Sequence, residues 1–109
     1  MTSDYVLVLT TLPASADAAA FGARLVDERL AACVNVLPPM ESVYRWQGAV
    51  ERGTERQLIM KTTGDRLSAL RKRIGELHPY EVPELLVLPV IEGSNAYLRW
   101  ITDSTHDDS

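Results

Sequence analysis

The stretch SVYRWQGAVERGTERQLIMKT, residues 42–62, decides the fold, because its pattern predicts two strands joined by a tight turn. Before Gln47-Gly48 the side chains alternate between two faces, as they do along a strand. Glycine readily adopts the positive φ that a two-residue hairpin turn requires. We therefore predict a β-hairpin whose first arm carries Ser42, Tyr44 and Trp46 on one face.

The second arm of the hairpin is predicted over residues 49–62. Gly53 is predicted to mark a bend or bulge in it, as glycine often does in strands. Glu51, Glu55 and Lys61 are all odd-numbered and nominally share one face. This pattern fits solvated charges on an exposed hairpin, and it also fits an ion pair or divalent-ion cluster across a subunit interface.

Apolar strands and amphipathic helices are predicted on both sides of the hairpin, from apolar runs, helical spacing and Pro or Gly breaks. In order they are a strand at 5–12, a helix at 16–30 capped by Ser15, a strand from 32, the hairpin, a helix opening at Gly64-Asp65 and ending before Pro79, a strand at 85–90, and a helix at 96–102 capped by Ser94. Proline ends the second long helix because it disfavours helical backbone in the preceding residue.

The predicted order is β-α-β-β-α-β with a terminal helix, which indicates an α+β, ferredoxin-like fold. One domain is predicted over residues 1–103, followed by a disordered acidic tail at 104–109. The hairpin arms are longer than two helices of this size can cover, since strands rise about 3.3 Å per residue and helices about 1.5 Å. Exposed strand edges favour pairing between chains, so a homo-oligomer is predicted.

Composition narrows the functional classes. The chain has 109 residues and a net charge of −4, with 15 acidic side chains against 11 Lys and Arg, which argues against nucleic-acid binding. Its single cysteine, Cys33, excludes an internal disulfide and suits a reducing compartment. The first residues lack the basic start of a signal peptide, and no apolar run approaches the roughly 18 residues of a membrane helix. We predict a cytoplasmic protein without a membrane partner.

Four stretches together resemble one known family. LAACVNV, SVYRWQG, ERQLIMKT and HPYEVPELLVLPV occur in this order and spacing in the CutA family of divalent-cation tolerance proteins, and the resemblance covers residues 5–101. It implies a ferredoxin-like homotrimer built through the long hairpin, with an architecture similar to the trimeric PII signalling proteins. It also implies a role in tolerance of copper or other divalent ions. Members of the family are not established enzymes.

His78, within HPYEVPE, is the first candidate ligand. Imidazole suits copper and zinc, and Glu81 and Glu84 offer oxygen ligands nearby. The alternative is a structural histidine at a helix C-terminus, where it favours the dipole and hydrogen-bonds the last carbonyls. The resemblance associates copper binding with the histidine of His-Pro-Tyr. Copper-binding relatives can carry a cysteine and a second histidine where this chain has Thr10 and Leu77, so a site on His78 is expected to be weak or completed by a neighbouring subunit.

Tyr44 and Trp46 are predicted either to bury against a neighbouring subunit or to wall a ligand cleft, with Tyr80 near it. The alternative function is therefore a PII-like regulatory trimer that binds a small metabolite or partner between subunits. Cys33 is interpreted as a packing residue, and His106 in the tail as an adventitious ligand at most. No catalytic motif is recognisable, so no enzyme activity and no obligatory cofactor is predicted.

Overall fold

The computed structural model describes residues 4–106, and the strands and helices in it follow the predicted order. The strands are β1 (Tyr5–Pro13), β2 (Cys33–Val36), β3 (Met40–Trp46), β4 (Ala49–Thr63) and β5 (Leu86–Pro89). The helices are α1 (Ala18–Asp27), α2 (Leu67–Leu77), which a 3-10 turn at Gly64–Arg66 precedes, and α3 (Asn95–Thr105).

The strands form one antiparallel sheet in the order β2-β4-β1-β5, with β3 also paired to β4. β2 and β3 are the two halves of the second strand of the predicted motif, and both run along β4. The interruption between them contains Pro38-Pro39, which cannot donate hydrogen bonds to the ladder. The ferredoxin-like arrangement predicted from the sequence is confirmed.

One face of the sheet is covered by α1 and α2 and holds the core. Val8 and Met60 point from the central strands into this layer and are fully buried. They pack with Leu25 of α1 and with Leu70 and Ile74 of α2. Because side chains alternate along a strand, the odd-numbered residues of β1 and β4 lie on the opposite face, where Tyr5 and Lys61 contact α3.

The hairpin forms a two-stranded arm, residues 40–55, that extends from this sheet. Gln47 and Gly48 both have positive φ, 48° and 82°, which confirms the predicted tight turn. Pairing runs without interruption past Ser42 and Gly53, so of the predicted bend or bulge at Gly53 the bulge is wrong. A Cβ on Gly53 would lie 3.4 Å from the Tyr44 hydroxyl, which is an ordinary van der Waals contact.

The first helix is shorter than the predicted 16–30 at both ends. Asp17, rather than Ser15, caps it by accepting a hydrogen bond from the Ala20 amide. At the other end Arg29 adopts a positive φ of 60°, and the Leu30 amide donates back to the Leu25 carbonyl. This is the left-handed stop that commonly ends helices, here formed without glycine.

The terminal helix is longer than predicted. Ser94 caps α3 as expected, but the helix continues to Thr105, whose side chain is fully buried. Two arginines from other elements donate to its last carbonyls: Arg66 to Thr105, and Arg29 to Ser104 and His106. Residues 104–106 therefore belong to the folded domain, which corrects the predicted start of the tail, while 107–109 lie outside the described residues. No helix within residues 4–106 is long and apolar enough to cross a membrane.

Candidate ligand-binding cleft

The connector between α2 and β5, residues 78–84, forms one wall of a cleft. Pro79 ends α2 at Leu77, and His78 turns to extended backbone with φ −76° and ψ 135°. Pro79 and Pro83 stiffen the segment between them, because each proline fixes its own φ. The connector thus holds its polar side chains close to the base of the arm.

The cleft lies between this connector and the arm and has a volume of about 720 Å³. Its lining residues are Thr11, Met40, Ser42, Tyr44, Trp46, Glu55, Gln57, Pro79, Tyr80, Glu81, Val82, Pro83 and Glu84. Among these described residues are three large aromatic side chains and three carboxylates, and none is a lysine or an arginine. The cleft is therefore apolar in its walls and acidic in its charge.

Tyr80 joins the connector to the arm. Its hydroxyl donates a hydrogen bond of 2.8 Å to Oε2 of Glu55. Partial burial, and then the neighbouring Glu55 carboxylate, raise the pKa of Tyr80 to about 12. Tyr80 thus stays a neutral donor at physiological pH and fixes the position of the Glu55 carboxylate.

Gln57 makes a second link across the cleft floor. Its Nε2 donates to Oε2 of Glu84 and to the Thr10 carbonyl, both at 2.8 Å. The side-chain amide thereby ties β4 to the connector and to β1. Two hydrogen bonds, at Glu55 and Glu84, hold the acidic side chains in place before any ligand arrives.

His78 lies beneath the cleft rather than in its lining. It is buried, and its Nε2–H donates to the Thr11 carbonyl at 2.6 Å. Its Nδ1 accepts from the Tyr80 amide at 3.1 Å, so the neutral tautomer with hydrogen on Nε2 satisfies both contacts. The ring also packs edge-on against Phe21. Both nitrogens are engaged, and a metal ion would have to displace one of these bonds.

The residues around His78 do not fit a copper site within one subunit. Thr10 lies fully buried on the core face of β1, and Leu77 carries no ligand atom. Within residues 4–106, no group of three His, Cys, Asp or Glu side chains is arranged to hold a metal ion. The structure thus favours the structural interpretation of His78 over the ligand interpretation.

The structure brings together six of the nine candidate residues. Tyr44, Trp46, Glu55, Tyr80, Glu81 and Glu84 line the cleft, whereas His78, Glu51 and Lys61 do not. Glu51 lies farther out along the arm, opposite Tyr44. Lys61 lies toward the other end of β4, with its ammonium 5.7 Å from the centre of the Tyr97 ring. Within one subunit Glu51, Glu55 and Lys61 are therefore spread along β4, and their pairing across a subunit interface stays a prediction.

Sequence reasoning missed Gln57 and Met40 as cleft residues. Both follow from the alternation already noted, since Met40 precedes Ser42 by two positions and Gln57 follows Glu55 by two. Neither residue is charged or aromatic, so side-chain chemistry alone does not mark them as ligand contacts. Cys33, half-buried on β2, is not part of the cleft lining.

Comparison with known proteins gives one consistent family. Residues 6–104 match the family model described as CutA1 divalent ion tolerance protein. The divalent-cation tolerance protein CutA of Thermus thermophilus is 46% identical over 99 residues, covering 91% of this chain and 96% of the relative. Among solved structures, CutA1 from Thermus thermophilus superposes with a TM-score of 0.89 at 44% identity, covering 94% and 99% of the two chains. CutA1 from Shewanella sp. SIB1 gives 0.92 at 32% identity, covering 98% and 100%.

Proposed function

Because the chain belongs to the CutA1 divalent ion tolerance family, we propose that it is a homotrimer that binds a small ligand in the cleft and acts as a regulatory module. The observation that carries this proposal is the cleft itself, whose aromatic walls and carboxylates are held in place by Tyr80 and Gln57. The family description names ion tolerance and no reaction, and we propose no enzymatic activity. Location in the cytoplasm stays a prediction, supported by the single cysteine.

The trimer is supported by apolar surface that a lone subunit leaves exposed. Val43 and Val50 are more than half exposed on the face of the arm that points away from the cleft. Leu86 of β5 is exposed, and Ile91 just after β5 is 95% exposed. A two-stranded arm is marginal in water unless something packs against it. Two further copies of this chain, carrying the same arms and edges, supply that packing.

Light scattering on the purified chain tests the assembly directly. The expected mass is three times the 12.1 kDa of one chain. A monomeric mass at micromolar concentration would contradict the trimer and, with it, any cleft completed by a neighbouring subunit.

Thermal melting with a panel of metabolites, in buffer containing a chelator, tests the ligand function. A compound that binds the folded state raises the melting temperature by mass action. The shift should be lost in Trp46→Ala and retained in Trp100→Ala, since Trp100 lies on α3 outside the cleft lining. Equal shifts in both variants would place the ligand elsewhere.

Divalent-cation binding is the second candidate function, because the matching family model is described as a divalent ion tolerance protein and carboxylate oxygens of the kind found in the cleft suit hard divalent ions. Calorimetric titration of Cu(II) and Mg(II) into wild type, Glu81→Gln and His78→Gln distinguishes the two types of ligand. Glutamine at position 78 can still donate to the Thr11 carbonyl, so it tests ligation with less damage than alanine. Cu(II) binding lost in His78→Gln alone would restore His78 as a ligand; loss in Glu81→Gln alone would assign the ion to the carboxylates. If the metabolite raises the melting temperature equally with and without the chelator, the result favours the first function.

A further inference from the structure

We propose that the cleft selects organic cations, that is, an ammonium or guanidinium group attached to an apolar body. This inference rests on the proposed ligand-binding function and adds the chemical class of the ligand. It follows from three features of the cleft: its charge, its aromatic surfaces and its size.

The charge that one subunit contributes to the lining disfavours anionic ligands. Glu55, Glu81 and Glu84 face the cleft, and no lysine or arginine is among the described lining residues. A phosphate or carboxylate on a ligand would meet carboxylates without a compensating cation. A cationic group there interacts favourably with up to three acids, two of which are already fixed by Tyr80 and Gln57. The fixed positions reduce the entropy that the side chains lose on binding.

The aromatic walls match the same ligand class. Tyr44, Trp46 and Tyr80 are 45%, 43% and 36% exposed, so part of each side chain remains accessible to a ligand. A cation within about 6 Å of such a ring is attracted by the ring quadrupole, most strongly by tryptophan. The same rings pack against the apolar part of a ligand. Aromatic faces beside carboxylates therefore recognise both halves of an organic cation.

The size of the cleft separates an organic cation from a bare metal ion. Sites for small organic ligands commonly span roughly 300–1,000 Å³, and this cleft has about 720 Å³. A metal ion instead requires ligands converging on one point, and no such group of three is present within residues 4–106. The carboxylates are spread around the cleft, which suits an extended molecule.

Three probes with the same apolar body and different charge test the inference: 2-phenylethylammonium, 2-phenylethanol and 3-phenylpropionate. The full chain carrying Trp100→Phe leaves Trp46 as the one remaining tryptophan of two, so its fluorescence reports on the cleft. The ammonium probe should bind, and the anion should not. Glu81→Gln with Glu84→Gln should weaken the ammonium probe by about fivefold or more, because two attractive charges are removed. Glu51→Gln, on the same arm but outside the lining, should leave binding unchanged.

Each failure has a distinct meaning. Equal or tighter binding of 2-phenylethanol or 3-phenylpropionate overturns the cation selectivity and leaves the ligand-binding function standing. If no probe changes the fluorescence of Trp46 in a protein of trimeric mass, the inference is overturned. The proposed function fails as well only if no compound in the metabolite panel raises the melting temperature. An equal loss in Glu51→Gln and in the double variant assigns the effect to general charge rather than to the cleft.

Discussion

Two buried threonines on the same core face show how a single hydroxyl contributes to stability. Thr62 donates its hydroxyl to the Leu30 carbonyl at 2.8 Å, whereas the Thr10 hydroxyl has no hydrogen-bond partner among the described residues. Both residues are fully buried. Since an unpaired buried hydroxyl costs about 1–3 kcal/mol, Thr10→Val should stabilise the protein by about 1 kcal/mol. The guanidinium midpoint of unfolding measures this change.

Thr62→Val is the matched control for that prediction. It makes the same isosteric replacement at the same depth but removes a satisfied hydrogen bond and leaves the Leu30 carbonyl without its donor. We expect it to destabilise the protein by about 1–2 kcal/mol. If Thr10→Val lowers the midpoint as Thr62→Val does, the Thr10 hydroxyl has a hydrogen-bond partner in solution and the prediction is wrong.

At the scale of elements, the last turn of α3 is held by the side chain of His106. His106 Nδ1 lies 2.7 Å from the Thr102 carbonyl, and its Nε2 lies 3.1 Å from Oδ2 of Asp65. Both neighbours are acceptors, so only the imidazolium can donate to both. The Thr102 carbonyl and then Asp65 raise the pKa of His106, while the Thr63 hydroxyl and then His106 lower the pKa of Asp65.

The sign of each pKa shift sets the pH range in which this contact stabilises the fold. The raised pKa of His106 gives stability that is complete below its unfolded value of 6.5 and is lost as pH rises through the folded value. The lowered pKa of Asp65 gives stability that is present above 3.8 and is lost as pH falls through its folded value. The contact is thus strongest between pH 3.8 and 6.5.

An NMR titration should show His106 titrating above 6.5, and Asp65→Ala should lower that midpoint. A midpoint at or below 6.5 in wild type contradicts the assignment.

The same helix shows where prediction from sequence ends. The hairpin turn was predictable because Gln47-Gly48 encodes it locally, and the cleft face of the arm followed from alternation. The length of α3 was not predictable from the sequence, because Arg29 and Arg66 donate to its last carbonyls from distant positions in the chain. The partners of His78 were not predictable for the same reason, since its bond to the Thr11 carbonyl joins two segments that no local pattern connects. Local signals predict elements, while side-chain roles depend on what the fold places beside them.

For the whole molecule, the exposed arm makes stability depend on association. Val43 and Val50 share one face with Arg45 and Arg52, and nothing in the described chain covers the two valines. If two neighbouring copies bury them, unfolding is coupled to dissociation, and the melting temperature rises with protein concentration. For a trimer of this size we expect about 5 °C per tenfold change in concentration.

The double variant Val43→Glu with Val50→Glu is the control that isolates the arm. Two buried carboxylates cannot be accommodated at an apolar interface, so the variant should have the mass of one chain and a melting temperature independent of concentration. Val26→Glu, at a 39% exposed valine on α1, should keep both the trimeric mass and the concentration dependence. If the arm variant stays trimeric, association must run through β5 and Ile91 instead, and the length of the hairpin would need another explanation.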